Sequence, residues 1–297
     1  MPELKDPNWV KAMKGLDFEP VERIDNKGKK VKQTVLPKSI VYAPKLNGVR
    51  ILWQVDDQCF RTNNGNLVRS CDHLVEQVRA TRYLKYYPLD GEAYHHDHER
   101  YSFSYLNGKV RRQASSAETE FIQFHIFELA MHGITESKVK RLRLLQEMFH
   151  MEDRDNTLGT HLIRVPYEIG DPGHRTQYYH KCLADKYEGI MLSDATANYQ
   201  TGKGKWMWKW KPEHSAEYKF VRLVPALEGR NVNTFASIEL MMEDGQTFTC
   251  AGISDERKLK ILANPPAPGS PITVEFGDWS NTGIPIFPRY VDERYDL

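Results

Sequence analysis

Two β-patterned runs, 49–55 and 59–62, flank the polar turn Asp56-Asp57-Gln58 and predict a strand pair. A shorter run at 39–42 predicts a strand leading into a turn at Lys45. Alternating apolar residues over 121–129 predict another strand, and 187–193 and 206–210 read as two more. Helical spacing shows in three places. Ser70 is placed to cap a helix carrying Leu74, Val75 and Val78 on one face. Phe103, Leu106 and Val110 are spaced for a second. A third is expected from Thr135 through Met148, with Leu142, Leu145 and Phe149 on its apolar side. The polar start of the chain predicts a short helix at 7–14 and a turn at 26–28.

After Pro212 the pattern changes. Short strand-like runs at 218–224, 234–242, 247–251, 272–276 and 286–291 are separated by Gly and Pro turns and one helical stretch at 254–262. Five strands and one helix in so short a segment fit a small barrel of the OB type. The domain boundary is expected near 212–215.

Composition adds limits. The chain has 297 residues, 40% of them apolar, enough for a sizeable core in one or two domains. No apolar run approaches the roughly 20 residues of a membrane span, and residues 1–20 are charged rather than signal-like. A cytoplasmic monomer without a membrane partner is expected. Cys59, Cys71, Cys182 and Cys250 are too far apart for a CxxC pair and are expected as free thiols. With 41 basic and 40 acidic residues, whole-chain charge does not announce a nucleic-acid partner. Local basic runs at 27–30, 109–112, 138–143 and 203–211 matter only if several face one groove.

The candidate chemistry begins at Lys45, in the run Ala43-Pro44-Lys45-Leu46-Asn47-Gly48-Val49-Arg50. A lysine attacks phosphorus only when deprotonated, so burial or nearby positive charge must act on it; Arg50, Lys209 and Lys211 are the candidate cations. Gly48 lets the backbone approach a nucleotide closely. Nucleotidyl transfer also needs a divalent cation with hard oxygen ligands. Glu92 and Glu188, at the ends of strand-like runs, are the candidates for Mg²⁺ (or Mn²⁺). Phe127 is placed to offer its ring to a purine. Lys209 and Lys211 alternate with Trp208 and Trp210, which puts both lysines on one strand face, suited to phosphate. His95-His96-Asp97-His98 has no further ligands nearby in sequence and reads as a surface loop.

Together these residues resemble the covalent nucleotidyltransferases, and within them the small ATP-dependent DNA ligases. Lys45-Leu46-Asn47-Gly48-Val49-Arg50 is similar to the KxDG nucleophile motif, and Thr62-Asn63-Asn64-Gly65 to the Ser-Arg-x-Gly motif. Asp90-Gly91-Glu92, 124–129, Glu188-Gly189 and Lys209-Trp210-Lys211 resemble the later motifs in order and spacing, and Phe287-Pro288-Arg289-Tyr290 resembles the FPRF segment. The resemblance implies an α+β chain: a nucleotidyltransferase (adenylation) domain over 1–212, ATP-grasp-like with antiparallel sheets plus helices, then a C-terminal OB-fold β-barrel over 213–297.

It implies an enzyme that seals 5′-phosphate/3′-hydroxyl nicks in duplex DNA with ATP as substrate. Lys45 becomes lysyl-AMP, AMP passes to the 5′-phosphate, and the 3′-hydroxyl displaces it. Ala43, Pro44, Leu46, Arg50, Glu92, Phe127, Lys209 and Lys211 would bind the nucleotide, and Glu188 with Glu92 the metal. Three positions depart from the pattern: Asn47 for Asp, Asn63 for Arg, and Ile286 where a basic residue is common. The last leaves Arg289 and Arg294 to supply the OB-domain charge. RNA ligases and capping guanylyltransferases share most of these motifs and remain alternatives, as does a non-enzymatic OB-fold nucleic-acid-binding protein.

Overall fold

The computed structural model of the chain describes residues 10–20, 22–24, 30–133, 135–228, 232–280 and 282–293. The turn expected at 26–28 and the candidate Arg294 lie outside them. The chain forms two compact units. The larger takes residues 1–21 and 32–211; the smaller takes 22–31 and 212–297.

Two five-stranded sheets build the larger unit. The first has the order Met13–Asp17, Gly202–Trp210, Gly189–Asp194, Ile40–Lys45, Glu168–Gly170. The second runs Cys59–Thr62, Val49–Gln54, Leu89–Tyr94, Gln123–Leu129, Leu162–Arg164. Pairing is antiparallel except at two outer strands, Met13–Asp17 and Leu162–Arg164, which pair in parallel. The result is the expected α+β class with antiparallel pairing dominant.

Ile40–Lys45 is apolar through most of its length and is buried at Ile40, Val41 and Tyr42. Its neighbour Glu168–Gly170 pairs only with residues 40–42, so Pro44 lies beyond that ladder and its missing N–H breaks no bond on that side. The next strand, Val49–Gln54, belongs to the other sheet, so the chain changes sheets immediately after Lys45. One core lies under the second sheet, where Leu74 and Val78, Leu106 and Val110, and Leu145 and Met148 come from three helices. Another joins Ile40, Tyr42, Ile190 and Trp208 to Tyr178, Tyr179 and Cys182 of the helix Arg175–Ala184.

The smaller unit has one five-stranded antiparallel sheet, ordered Thr247–Cys250, Phe235–Met241, His214–Pro225, Pro271–Phe276, Arg289–Glu293. A bridge between Ala251 and Arg289 links the two outer strands. Phe235, Ile238, Leu240, Ile272 and Val274 form its core with Ile261 of the helix Asp255–Ala263.

Several expectations are corrected. In place of a helix at 7–14, residues 10–12 are irregular and Met13–Asp17 is a strand, because pairing with Gly202–Trp210 satisfies a backbone that a helix of two turns holds only marginally. Cys71 rather than Ser70 is the first helix's N-cap; the Ser70 hydroxyl instead donates to the Val110 carbonyl at 2.8 Å. Ser137 caps the third helix, which runs Lys138–Arg154. The run at 286–291 divides into Pro285–Ile286 and Arg289–Glu293, because Phe287 sits at φ 54° and Pro288 follows it. The helix Arg175–Ala184 and the strands Glu168–Gly170 and Leu162–Arg164 are additions. All four cysteines are free.

Candidate nucleotide site and the family it belongs to

A cavity of about 310 Å³ lies between the two sheets of the larger unit. The first sheet contributes Ala43, Pro44, Lys45 and Lys209; the second contributes Arg50, Glu92 and Phe127. Leu46 also lines it, at the crossing between sheets. Of the sequence candidates in this unit, Lys211 and Glu188 are not in the wall itself, but Glu188 bonds Lys45 directly and Lys211 reaches it through Glu188.

Lys45 ends its strand opposite Gly189, which brings Glu188 alongside. The Lys45 ammonium donates to Glu188 Oε2, and the Lys211 ammonium donates to Oε1 at 2.9 Å. Burial alone would raise the Glu188 carboxyl, but the two lysines and their hydrogen bonds outweigh it and hold the group below its ordinary value. Gly189 is required here, since a Cβ would lie 2.2 Å from the Trp210 carbonyl oxygen. Gly48 answers to the same kind of constraint: its Cβ would meet Ala93 O at 2.4 Å and Glu92 Cγ at 2.7 Å.

Arg50 is held by a bidentate pair to Asp90, at 2.8 Å and 2.5 Å, and donates to the Met13 carbonyl at 2.6 Å. Burial would lower the guanidinium's pKa, yet Asp90 more than compensates and raises it. The Tyr199 hydroxyl completes Asp90 with a 2.7 Å bond. Arg50 also lies 5.1 Å from the ring centre of Phe127, which fixes both side chains at the same wall. The neighbour of Phe127, Glu128, is fully buried and paired with Lys138 and Arg141, tying the strand to the helix Lys138–Arg154. Lys209 pairs with Asp17 at 3.1 Å. The three cations expected to bear on Lys45 are therefore each matched to a carboxylate.

Glu92 is different. Its carboxyl makes no hydrogen bond or ion pair among the described residues. Burial raises it from 4.5 to about 7, against the pull of Lys45 and Arg50. For a divalent cation the donor set is thus uneven. Both Glu188 oxygens are occupied by ammonium groups, whereas Glu92 offers free carboxylate oxygen at the cavity. No group of three or more His, Cys, Asp or Glu side chains among the described residues is arranged to hold a metal alone. Mg²⁺ takes few protein ligands and fills its shell with phosphate oxygens and water, so Glu92 is the carboxylate of this cavity that could serve it.

Sequence reasoning did not assign roles to Asp90 and Tyr199, nor to Lys14 and Lys203, which also line the cavity and face each other in register on paired strands. In the His95–His98 segment, His96 and His98 share the buried Tyr94 hydroxyl at 2.8 and 2.7 Å. In the smaller unit Arg289 pairs with Glu213 at 3.3 Å and Glu275 at 3.8 Å. No helix among the described residues is long and apolar enough to cross a membrane.

Residues 22–211 match the family described as ATP dependent DNA ligase domain. That family is one of DNA ligases, not of RNA ligases or capping guanylyltransferases. Among curated proteins none matches the chain. The fold is similar to a solved structure from a structure–function study of Lig E DNA ligases, with 19% identity, 96% of this chain and 100% of that one covered, and a TM-score of 0.72. It is similar as well to a structure named Pmar-Lig_Pre, at 18% identity over 96% and 68% of the two chains, TM-score 0.76. A Chlorella virus DNA ligase-adenylate is more distant, at 15% identity over 96% and 99%, TM-score 0.52.

Proposed function

Because the chain belongs to the ATP-dependent DNA ligase family, we propose that its Lys45 is the residue that carries AMP. The enzyme seals nicks in duplex DNA, and the cavity and the groups beside it support the following roles. The Lys45 Nζ bonds the α-phosphorus of ATP as the bond to pyrophosphate breaks. Glu188, already hydrogen-bonded to Nζ, holds it at the cavity, and the proton that the ammonium sheds before attack passes to solvent. Lys211 holds Glu188 from the other side, so the carboxylate stays placed when Lys45 changes charge.

Phe127 stacks on adenine. Arg50 and Glu92 contact the ribose and α-phosphate side, and Lys209 and Lys211 hold phosphate. Ala43, Pro44 and Leu46 form the apolar wall around the base. Glu92, with Glu188 beside it, would hold Mg²⁺ or Mn²⁺, whose chemistry is neutralisation of the charge that develops on the phosphates. The AMP then passes to the 5′-phosphate of the nick, and the 3′-hydroxyl displaces it. In this reading residues 1–212 form the adenylation domain, and 213–297 form an OB domain to which Arg289, with Arg294, contributes charge. The chain works as a monomer, in the cytoplasm, on nicked DNA.

The observation that carries the proposal is the hydrogen bond to Glu188 of Lys45, which lines a nucleotide-sized cavity. Its test is incubation with labelled ATP followed by denaturation. The wild-type chain is expected to keep the label, and Lys45→Ala and Lys45→Arg to lose it by at least about 10⁴-fold. A denaturant-stable adenylate on either variant would assign the nucleophile elsewhere.

A further inference from the structure

The larger unit has a second concavity, a groove of about 1220 Å³ between the 61–69 segment and the helix Phe103–Val110. Arg50, Arg61, Arg69, Arg111 and Arg112 line it, and no Asp or Glu does. In a chain of 41 basic and 40 acidic residues, that is a local segregation of charge. The rest of the polar lining consists of Asn, Gln and Thr side chains, which donate hydrogen bonds without adding negative charge.

Three of the arginines are anchored by acids standing outside the groove wall: Arg50 by Asp90, Arg61 by Asp57 at 3.1 Å, and Arg112 by Glu118 at 2.5 Å. Arg61 is further turned aside by the Gly65 carbonyl, which accepts from it at 3.1 Å. Arg111 is exposed, and its side chain makes no ion pair or hydrogen bond among the described residues. The turn at 62–65 brings neutral Asn63 and Asn64 to the wall, so the groove's uncommitted cation is Arg111, at the end of the helix.

Arg50 lines both the groove and the nucleotide cavity. Once AMP sits on Lys45, the group that accepts it must arrive from outside the volume the nucleotide fills. A concavity that shares a wall with the cavity, is rich in cations and is free of acids provides that approach for a phosphate.

We infer that this groove seats the sugar–phosphate backbone of the strand bearing the 5′-phosphate, and that Arg111 is a principal phosphate contact within it. The inference rests on the ligase reading of the Lys45 cavity. Phosphate contacts of this kind fix register and carry no sequence information, in keeping with a substrate defined by a nick.

The test uses full-length chain carrying Arg111→Ala, Arg111→Glu or Arg111→Lys, with thermal melts to verify folding. Lysyl-AMP formation from ATP alone, with no DNA present, should proceed in all of them. Binding of a nicked duplex should weaken by about tenfold in Arg111→Ala, and the slope of log Kobs against log[salt] should shrink by about 1. Arg111→Glu should weaken it further, and Arg111→Lys should recover most of the loss. Transfer of AMP from preformed lysyl-AMP to the nick should slow in the same order, and the wild type's preference for a 5′-phosphate over a 5′-hydroxyl nick should narrow. Unchanged affinity and salt slope in Arg111→Ala would remove the groove from the DNA path. Equal weakening on both nick types with undiminished transfer would place duplex there but overturn the assignment of the 5′-phosphate strand. Failure of the wild-type chain to form lysyl-AMP would count against the ligase reading, whatever Arg111 does.

Discussion

The nucleotide cavity and the arginine groove meet at Arg50 and treat charge in opposite ways. In the cavity, Lys45 and Lys211 share Glu188, Arg50 holds Asp90, and Lys209 holds Asp17. In the groove, no acid lines the wall and Arg111 stands alone among the described residues. The difference follows from what each must bind. A reacting phosphorus needs groups held to a fraction of an ångström, and a carboxylate tether holds a flexible lysine in one place. A polyanionic backbone needs a field more than a position, and tethers inside the wall would cancel that field. Charges in the cavity are therefore structural as well as chemical, whereas Arg111 in the groove should be nearly free of structural cost.

The sharpest way to break this comparison is to remove a tether. Asp90→Ala would leave the guanidinium of Arg50 without its carboxylate partner and Tyr199 without its shorter acceptor, the 2.7 Å one. A loss of about 3 kcal/mol in urea unfolding is expected, against less than about 0.5 kcal/mol for Arg111→Ala. Similar losses in the two variants would end the distinction.

Glu188→Gln tests the chemical side. A neutral amide does not balance two ammonium groups and holds Lys45 less firmly, so lysyl-AMP formation should fall by about 10²-fold or more with folding retained. Full activity in that variant would remove Glu188 from the reaction.

Glu92, the cavity's one untethered carboxyl among the described residues, gives a pH-dependent contrast. Its folded value of about 7 lies above its ordinary 4.5. The folded chain therefore binds a proton that the unfolded chain releases earlier, so stability falls as pH rises from 4.5 toward 7, and the whole penalty stands above that. Glu92→Gln removes the penalty. It should raise stability at pH above about 7 by on the order of 2 kcal/mol, with little change near pH 4, while costing adenylylation. A melting point unmoved at high pH would mean Glu92 is not held up by burial.

The smallest effect sharpens the groove. Gln113→Glu adds one acid to its exposed lining and should weaken nicked-duplex binding only a few-fold, the more so at low salt. No response at low salt would argue against a field-driven surface.

How far these regions were legible in the sequence follows the same division. Lys45, Arg50, Glu92, Phe127, Glu188 and Lys211 stand beside glycines or in alternating runs, which local pattern detects. Their partners do not. Tyr199 reaches Asp90 across 109 positions, and Met13–Asp17 pairs with a strand nearly two hundred residues later, so neither leaves a local trace. The helix Arg175–Ala184 escaped because its buried residues, Tyr178, Tyr179 and Cys182, are few and set among polar ones. The groove combines residues 48–50, 61–69 and 103–113, and only the fold shows that the basic run at 109–112 faces the same space as Arg61.

The division of the chain into units has a consequence for inheritance. Residues 22–31 group with 212–297, while the stretches on either side of them group with the larger unit. The smaller unit is thus written in two separate places in the gene. A recombination with one junction near residue 212 would transplant most of it and leave ten residues behind, facing a unit they did not evolve with. Exchange of the two units between relatives by a single crossover is for that reason expected to yield mismatched chimeras, and clean modular shuffling would require three junctions at once.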